Sequence, residues 1–176
     1  MSHRITEHFT LEELTRSATA LRLDLSNTLP AQYLRNAEKV AEALERIRAY
    51  FGGKPIHITS CFRSKTVNAA VGGSLTSAHM IAMAADFEVS GVPHIEVCRA
   101  IPEIVPEFDQ VIYEFGPSGW VHLGLAHNAP RGQKLTAVKV NGKTVYRQGI
   151  LDLWKLYPDL PGFQNPAGLE EHPETP

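Results

Sequence analysis

No run of 18 or more apolar residues occurs in the sequence, so no transmembrane helix is expected. The opening stretch, "MSHRITEHFT", has no apolar core of the kind a secretion signal carries, and synthesis in the cytoplasm is expected. Cysteine is scarce. Cys61 and Cys98 are too few for a disulfide scaffold and not spaced as a thiolate metal site, so both read as reduced and structural. An excess of one charge is missing too: 17 Lys and Arg stand against 19 Asp and Glu, a formal net charge of −2. Domains that bind nucleic acid in general are strongly basic, so the balance argues against that class. There is no internal repeat.

What the chain does have is 43% apolar residues in a length of 176, enough core for one domain of ordinary size. Thr10 and Glu13 in "TLEELTRS" make a capping box and predict a short helix with Phe9, Leu11 and Leu14 on its buried side. "SNTLP" reads as a loop. From Pro30 to Phe51, Leu34, Ala37, Ala41, Leu44, Ile47 and Phe51 recur at helical spacing, and "FGGK" ends that helix. "PIHITS" and "AADFEV" read as strands, and "SKTVNAAVGG" between them as one or two helical turns. "PHIEVCRAIPEIV" is a helix with a flaw at Pro102. "DQVIYEF" and "WVHLGL" are strands joined by "GPSG", and "TAVKVNGKTVYRQ" is a hairpin turning at Asn141-Gly142. Helices first, then mixed strands and helices, predict an α+β domain over residues 1–150. Residues 151–176, rich in proline and polar side chains, are expected to be an extended or disordered tail.

The stretch "SAHMIAMAADF" carries His79 and Asp86 at the two ends of an apolar segment. With a third ligand such a pair can hold a catalytic zinc that keeps one position open. His122 in "GWVHLGL" is the candidate: on an alternating strand Trp120, His122 and Gly124 share one face, while Val121, Leu123 and Leu125 take the other. Spacing alone leaves plainer readings open. Seven residues are two helical turns, so His79 and Asp86 also fit a simple side-chain contact, and a histidine in a strand fits a satisfied core residue. A Ser-His-Asp hydrolase built from Ser77, His79 and Asp86 is disfavoured, because "TSAH" offers no strained nucleophile turn.

The ordered set "ITSCFRS", "VNAAVGGSLTSAH", "AADF", "FDQVIYEF" and "WVHLGL" resembles the zinc peptidases of the D-alanyl-D-alanine carboxypeptidase family, which includes phage endolysins. Ser77, His79, Ala84, Asp86 and His122 match its motif, "HFTLEELTRSATA" resembles its small phage-type members, and the likeness runs from about His8 to Ala137. The resemblance implies N-terminal helices packed on a small, mainly antiparallel sheet, as in the hedgehog and DD-peptidase folds. It also implies one Zn2+ per chain, held by His79, Asp86 and His122. It implies hydrolysis of peptidoglycan stem peptides, at D-Ala-D-Ala or at L-Ala-D-Glu, by a monomer that acts on the cell wall after release or is carried in a phage particle. Many relatives place an acid three residues before the second histidine, where this chain has Gly119, so Glu114 is expected as general base and acid, with Asp109 second. Arg63 is expected to act in catalysis by binding a substrate carboxylate or carbonyl. Ser77 is expected to contact substrate or to cap its loop. Ala82 stands where the family usually has glycine, a change that matters if the site needs a positive φ. Ala82 and Gly119 favour the competing reading, a non-catalytic zinc-containing module that binds cell wall or builds a phage particle. His8, His57, His94 and His127 are not assigned to the metal.

Overall fold

Thr10 opens the first helix as its spacing predicts. In the structure, a computed structural model that describes residues 3–153, the Thr10 hydroxyl accepts from the Glu13 amide, and the Glu13 carboxylate accepts from the Thr10 amide at 2.8 Å. Helix α1 (Leu11–Thr15) is short, and Leu14 carries its burial while Leu11 stays partly exposed. A second short helix, α2 (Ala18–Arg22), follows without a break in composition and is capped by Ser17, whose hydroxyl accepts from the Ala20 amide at 3.1 Å.

The "SNTLP" segment has no regular structure, but Asn27 within it has a structural task. Its side-chain amide donates to the carbonyls of Thr15 and Phe62, and its oxygen accepts from the Ser64 amide at 2.7 Å. One side chain thus fixes the loop that bears Arg63. Helix α3 (Leu34–Tyr50), led in by a 3-10 turn at Ala31–Tyr33, buries Ala37, Val40, Ala41, Ala43, Leu44 and Ile47 along one stripe. From its N-terminal end Asn36 donates to the Ile81 carbonyl at 2.8 Å, which ties the helix to the turn holding His79.

The six strands are β1 (Ile56–Ser60), β2 (Ala84–Val89), β3 (Phe108–Glu114), β4 (Trp120–Leu125), β5 (Gln133–Val140) and β6 (Lys143–Gln148). Helix α4 (Lys65–Ala70) lies between β1 and β2, and α5 (His94–Ile104) between β2 and β3. They form one sheet in the order β1-β2-β4-β3-β5-β6, antiparallel throughout except for the parallel β3–β5 pair. The fold is α+β, as expected. Pro102 does not stop α5 because it lies in the last turn, where it removes only the bond to the Cys98 carbonyl. The β5–β6 hairpin turns at Asn141-Gly142 with φ of 49° and 76°, the left-handed pair that matches strand twist.

Alternation divides the sheet into two faces. Phe87, Val89, Val111, Tyr113, Val121, Leu123 and Val138 point to the helix side and form the main core with Val40, Leu44, Ile47, Val97 and Ile101. The opposite face carries Asp86, His122, Ile112, Glu114, Ala137 and Tyr146, aligned strand by strand through the register. A lesser cluster of Ile112, Leu135 and Ala137, joined by Phe115, gives that face its own apolar floor. Cys61 and Cys98 are both buried and unpaired with each other. At the C-terminal side Leu151 donates to Thr136 Oγ1 at 2.9 Å, Asp152 pairs with Arg99 at 3.0 Å and Leu153 is buried, while residues 154–176 of the predicted tail lie outside the described residues.

Candidate metal centre and active site

Asp86 on β2 stands directly opposite His122 on β4, so both side chains leave the same sheet face. His79 arrives from a 3-10 turn, Ala78–Ile81, just before β2. The segment between His79 and Asp86 is therefore a turn and a buried strand, not one helix, and the plain helical contact is excluded. Three donor atoms meet: His79 Nε2 lies 3.3 Å from Asp86 Oδ1 and 3.4 Å from His122 Nδ1, and His122 Nδ1 lies 2.8 Å from the same oxygen. All three residues are buried.

The tautomer of His79 follows from its other nitrogen. Nδ1 sits 2.6 Å from the Cys61 carbonyl, an acceptor only, so Nδ1 carries the hydrogen and Nε2 presents a lone pair. The Arg63 amide in turn donates to the His79 carbonyl at 3.1 Å, clasping the two loops in both directions. Asp86 is held at both oxygens, Oδ1 by His122 and Oδ2 by Arg63 Nη2 at 2.7 Å. Arg63 Nε donates to Ser60 Oγ at 2.9 Å. Arg63 is therefore an orienting partner of the Asp86 carboxylate, the kind of outer contact that would fix it as a metal ligand.

Protonation suits the same role. Burial pushes the His79 imidazolium down, more than the Asp86 charge raises it, which favours the neutral ring. Burial alone would raise the Asp86 carboxyl, but the neighbouring His79 and His122 together outweigh it and hold the group well below the usual carboxylate range. A lone pair on His79, an ionised carboxylate and a second imidazole thus converge with at most one hydrogen between them. That donor set fits a divalent cation: two nitrogens and one oxygen, within 4.8 Å of one another.

Glu114 ends β3 opposite Trp120, and Ile112 pairs with His122, so Glu114 stands on the ligand face one step along from His122. Burial and then the Asp86 charge raise its carboxyl to about 7. Asp109 does not compete for this place, since both its oxygens take Arg131. Gly119 lies in the turn between β3 and β4, where a Cβ would come 1.7 Å from the Glu114 carbonyl oxygen. No acid fits there without rebuilding the turn. The same turn that excludes a side chain at 119 brings Glu114 to the site.

Ser77 precedes the His79 turn, half-buried, with no side-chain bond to that turn. Ala82 has φ 55° and ψ 37°, the left-handed region, and is fully buried. The alanine therefore does occupy a position that favours glycine, at a strain of about 1–2 kcal/mol, without displacing His79 from Asp86. Of the remaining histidines, His57 and His127 are exposed, His8 bonds Glu45 at 2.9 Å and His94 starts α5. None approaches the three ligands. Sequence reasoning missed Ser60 and the Cys61 carbonyl. Ser60 comes level with Asp86 only through the pairing of β1 with β2, and a backbone acceptor has no signature in composition or spacing, so no local signal marked either.

Compared with known families, residues 7–124 match the family model described as Peptidase M15. No curated protein matches the chain.

Proposed function

Because the chain belongs to the peptidase M15 family, we propose that it is a zinc-dependent peptidase of peptidoglycan stem peptides, of the D-Ala-D-Ala carboxypeptidase or L-Ala-D-Glu endopeptidase type. The observation that carries this reading is the convergence of His79, Asp86 and His122 on a sheet face that also bears Glu114. Zinc, when bound by these three residues, would supply a Lewis acid that polarises the scissile carbonyl and lowers the pKa of the attacking water.

The chain's own groups do the rest. Glu114 takes a proton from the attacking water on its carboxylate and returns it to the leaving amine. A carboxyl raised to about 7 is matched to accepting and giving that proton near neutral pH. Arg63 keeps Asp86 ionised and oriented. The Cys61 carbonyl keeps His79 in the ligating tautomer. A non-catalytic module would have no use for a half-buried glutamate with a raised pKa beside the ligands, and this favours the enzyme over the binding or structural reading.

The test is metal content together with cleavage of purified peptidoglycan, for wild type and His79→Ala. One equivalent of zinc, lost with cleavage in the variant, is the expected result. Zinc without cleavage of any stem-peptide bond would return the argument to a binding module. No zinc after growth in metal-replete medium would sink the site.

A further inference from the structure

The ligand face does not end at Glu114. Glu114 is level with Ala137 on β5, and Ala137 with Tyr146 on β6, so the three share a face across three strands. Ala137 has only a methyl group and is fully buried, which leaves room for the Tyr146 ring above it. Tyr146 is more than half exposed. Its hydroxyl is raised by partial burial and then by the charges of Glu114 and Asp86, which puts it within electrostatic reach of the site. Lys139, two residues along β5 from Ala137, is on the same face. Its Nζ lies 5.2 Å from the centre of the Phe115 ring and donates to Thr144 Oγ1 at 2.8 Å. Phe115 meets Trp120 edge-on at 5.4 Å, and the buried Trp120 indole N–H has no hydrogen-bond partner.

Lys139 makes no ion pair with any acid among the described residues, although its charge reaches Glu114, whereas Arg63 is committed to Asp86 and Ser60. An exposed ammonium over an aromatic ring, on the same sheet face as an exposed phenol, complements an anionic ligand.

We propose that Lys139, seated over the Phe115 ring, and Tyr146 form a subsite that takes a carboxylate of the peptide substrate on the Glu114 side of the metal centre. The inference rests on the peptidase reading for the identity of the ligand. It assigns carboxylate recognition to the β5–β6 hairpin, beyond the family-matched residues 7–124, and not to Arg63.

Calorimetric titration of the full chain tests this, with metal withheld so that no turnover occurs. The probes are the pentapeptide L-Ala-γ-D-Glu-L-Lys-D-Ala-D-Ala and the same peptide with both carboxylates amidated. Wild type should bind the acid form about ten-fold more tightly than the amide, a difference typical of one charged contact near a surface. Lys139→Met should erase that preference, Lys139→Arg should keep it, and Tyr146→Phe should weaken the acid form about three-fold. Lys139 is exposed, so its variants should fold, which circular dichroism of each variant checks before titration. No preference in wild type, no binding of the acid peptide, or an undiminished preference in Lys139→Met would each overturn the subsite. None of those results touches zinc content or zinc-dependent cleavage, on which the peptidase reading stands or falls separately.

Discussion

Replacing Glu114 with glutamine should stabilise the metal-free protein at pH 8 and do little at pH 4.5. The folded-state carboxyl is raised to about 7, first by burial and then by Asp86, from the 4.5 of an ordinary glutamate. Below both values the group is neutral in either state and nothing is lost. As pH rises between them, the unfolded chain gains by ionising and the folded protein does not, so stability falls. Above about 7 the whole difference is in place, some two and a half pKa units or roughly 3 kcal/mol. Glutamine has the same shape and no charge, and it escapes this penalty. For a domain of this size, the variant should melt roughly 6–12 °C above wild type at pH 8, and much closer to it at pH 4.5. Thermal unfolding in EDTA at both pH values gives the answer. The quantity is the difference between the two proteins at each pH, so that titration of groups common to both largely cancels. Zinc should narrow the gap at pH 8, because a cation beside the carboxylate favours its charged form. Cleavage should meanwhile drop at least about 100-fold. A gap of equal size at the two pH values, or none, would refute the reasoning that Glu114 is held in the site at an energetic cost.

Two other substitutions test the frame around the site. Gly119→Ala should destabilise by about 3 kcal/mol, at the upper end for overpacking, since its Cβ meets backbone and not a movable side chain; an unchanged urea midpoint would refute the turn geometry. Arg63→Lys keeps the charge but loses the planar fork that spans Ser60 and Asp86, and it should weaken zinc binding about ten-fold in a chelator competition. Equal affinity would show that Asp86 needs no such support.

The residues of the candidate site were legible because each sits on a local pattern. Asp86 and His122 lie on strands whose alternation points them away from the core, and Glu114 is joined to His122 by a hairpin whose turn residues are visible. The Asn141-Gly142 turn and the Thr10–Glu13 capping box were legible for the same reason: they are short-range chemistry. Long-range pairing was not. Nothing local places β4 between β2 and β3, or sets β5 parallel to β3. The Arg63–Asp86 pair was hidden by the same limit, since the two are 23 residues apart and a guanidinium fits a substrate carboxylate as well as an internal one. Helix α2 was hidden in five residues with no apolar periodicity of their own.

The crowded turn at Gly119 also limits where this sheet face can carry carboxylates. Acid at position 119 and acid at position 114 are alternatives that exclude each other in this backbone, because the turn that delivers Glu114 leaves no volume for a second side chain. No single substitution at 119 can add a carboxylate here, because any side chain there must first rebuild the backbone on which Glu114 stands.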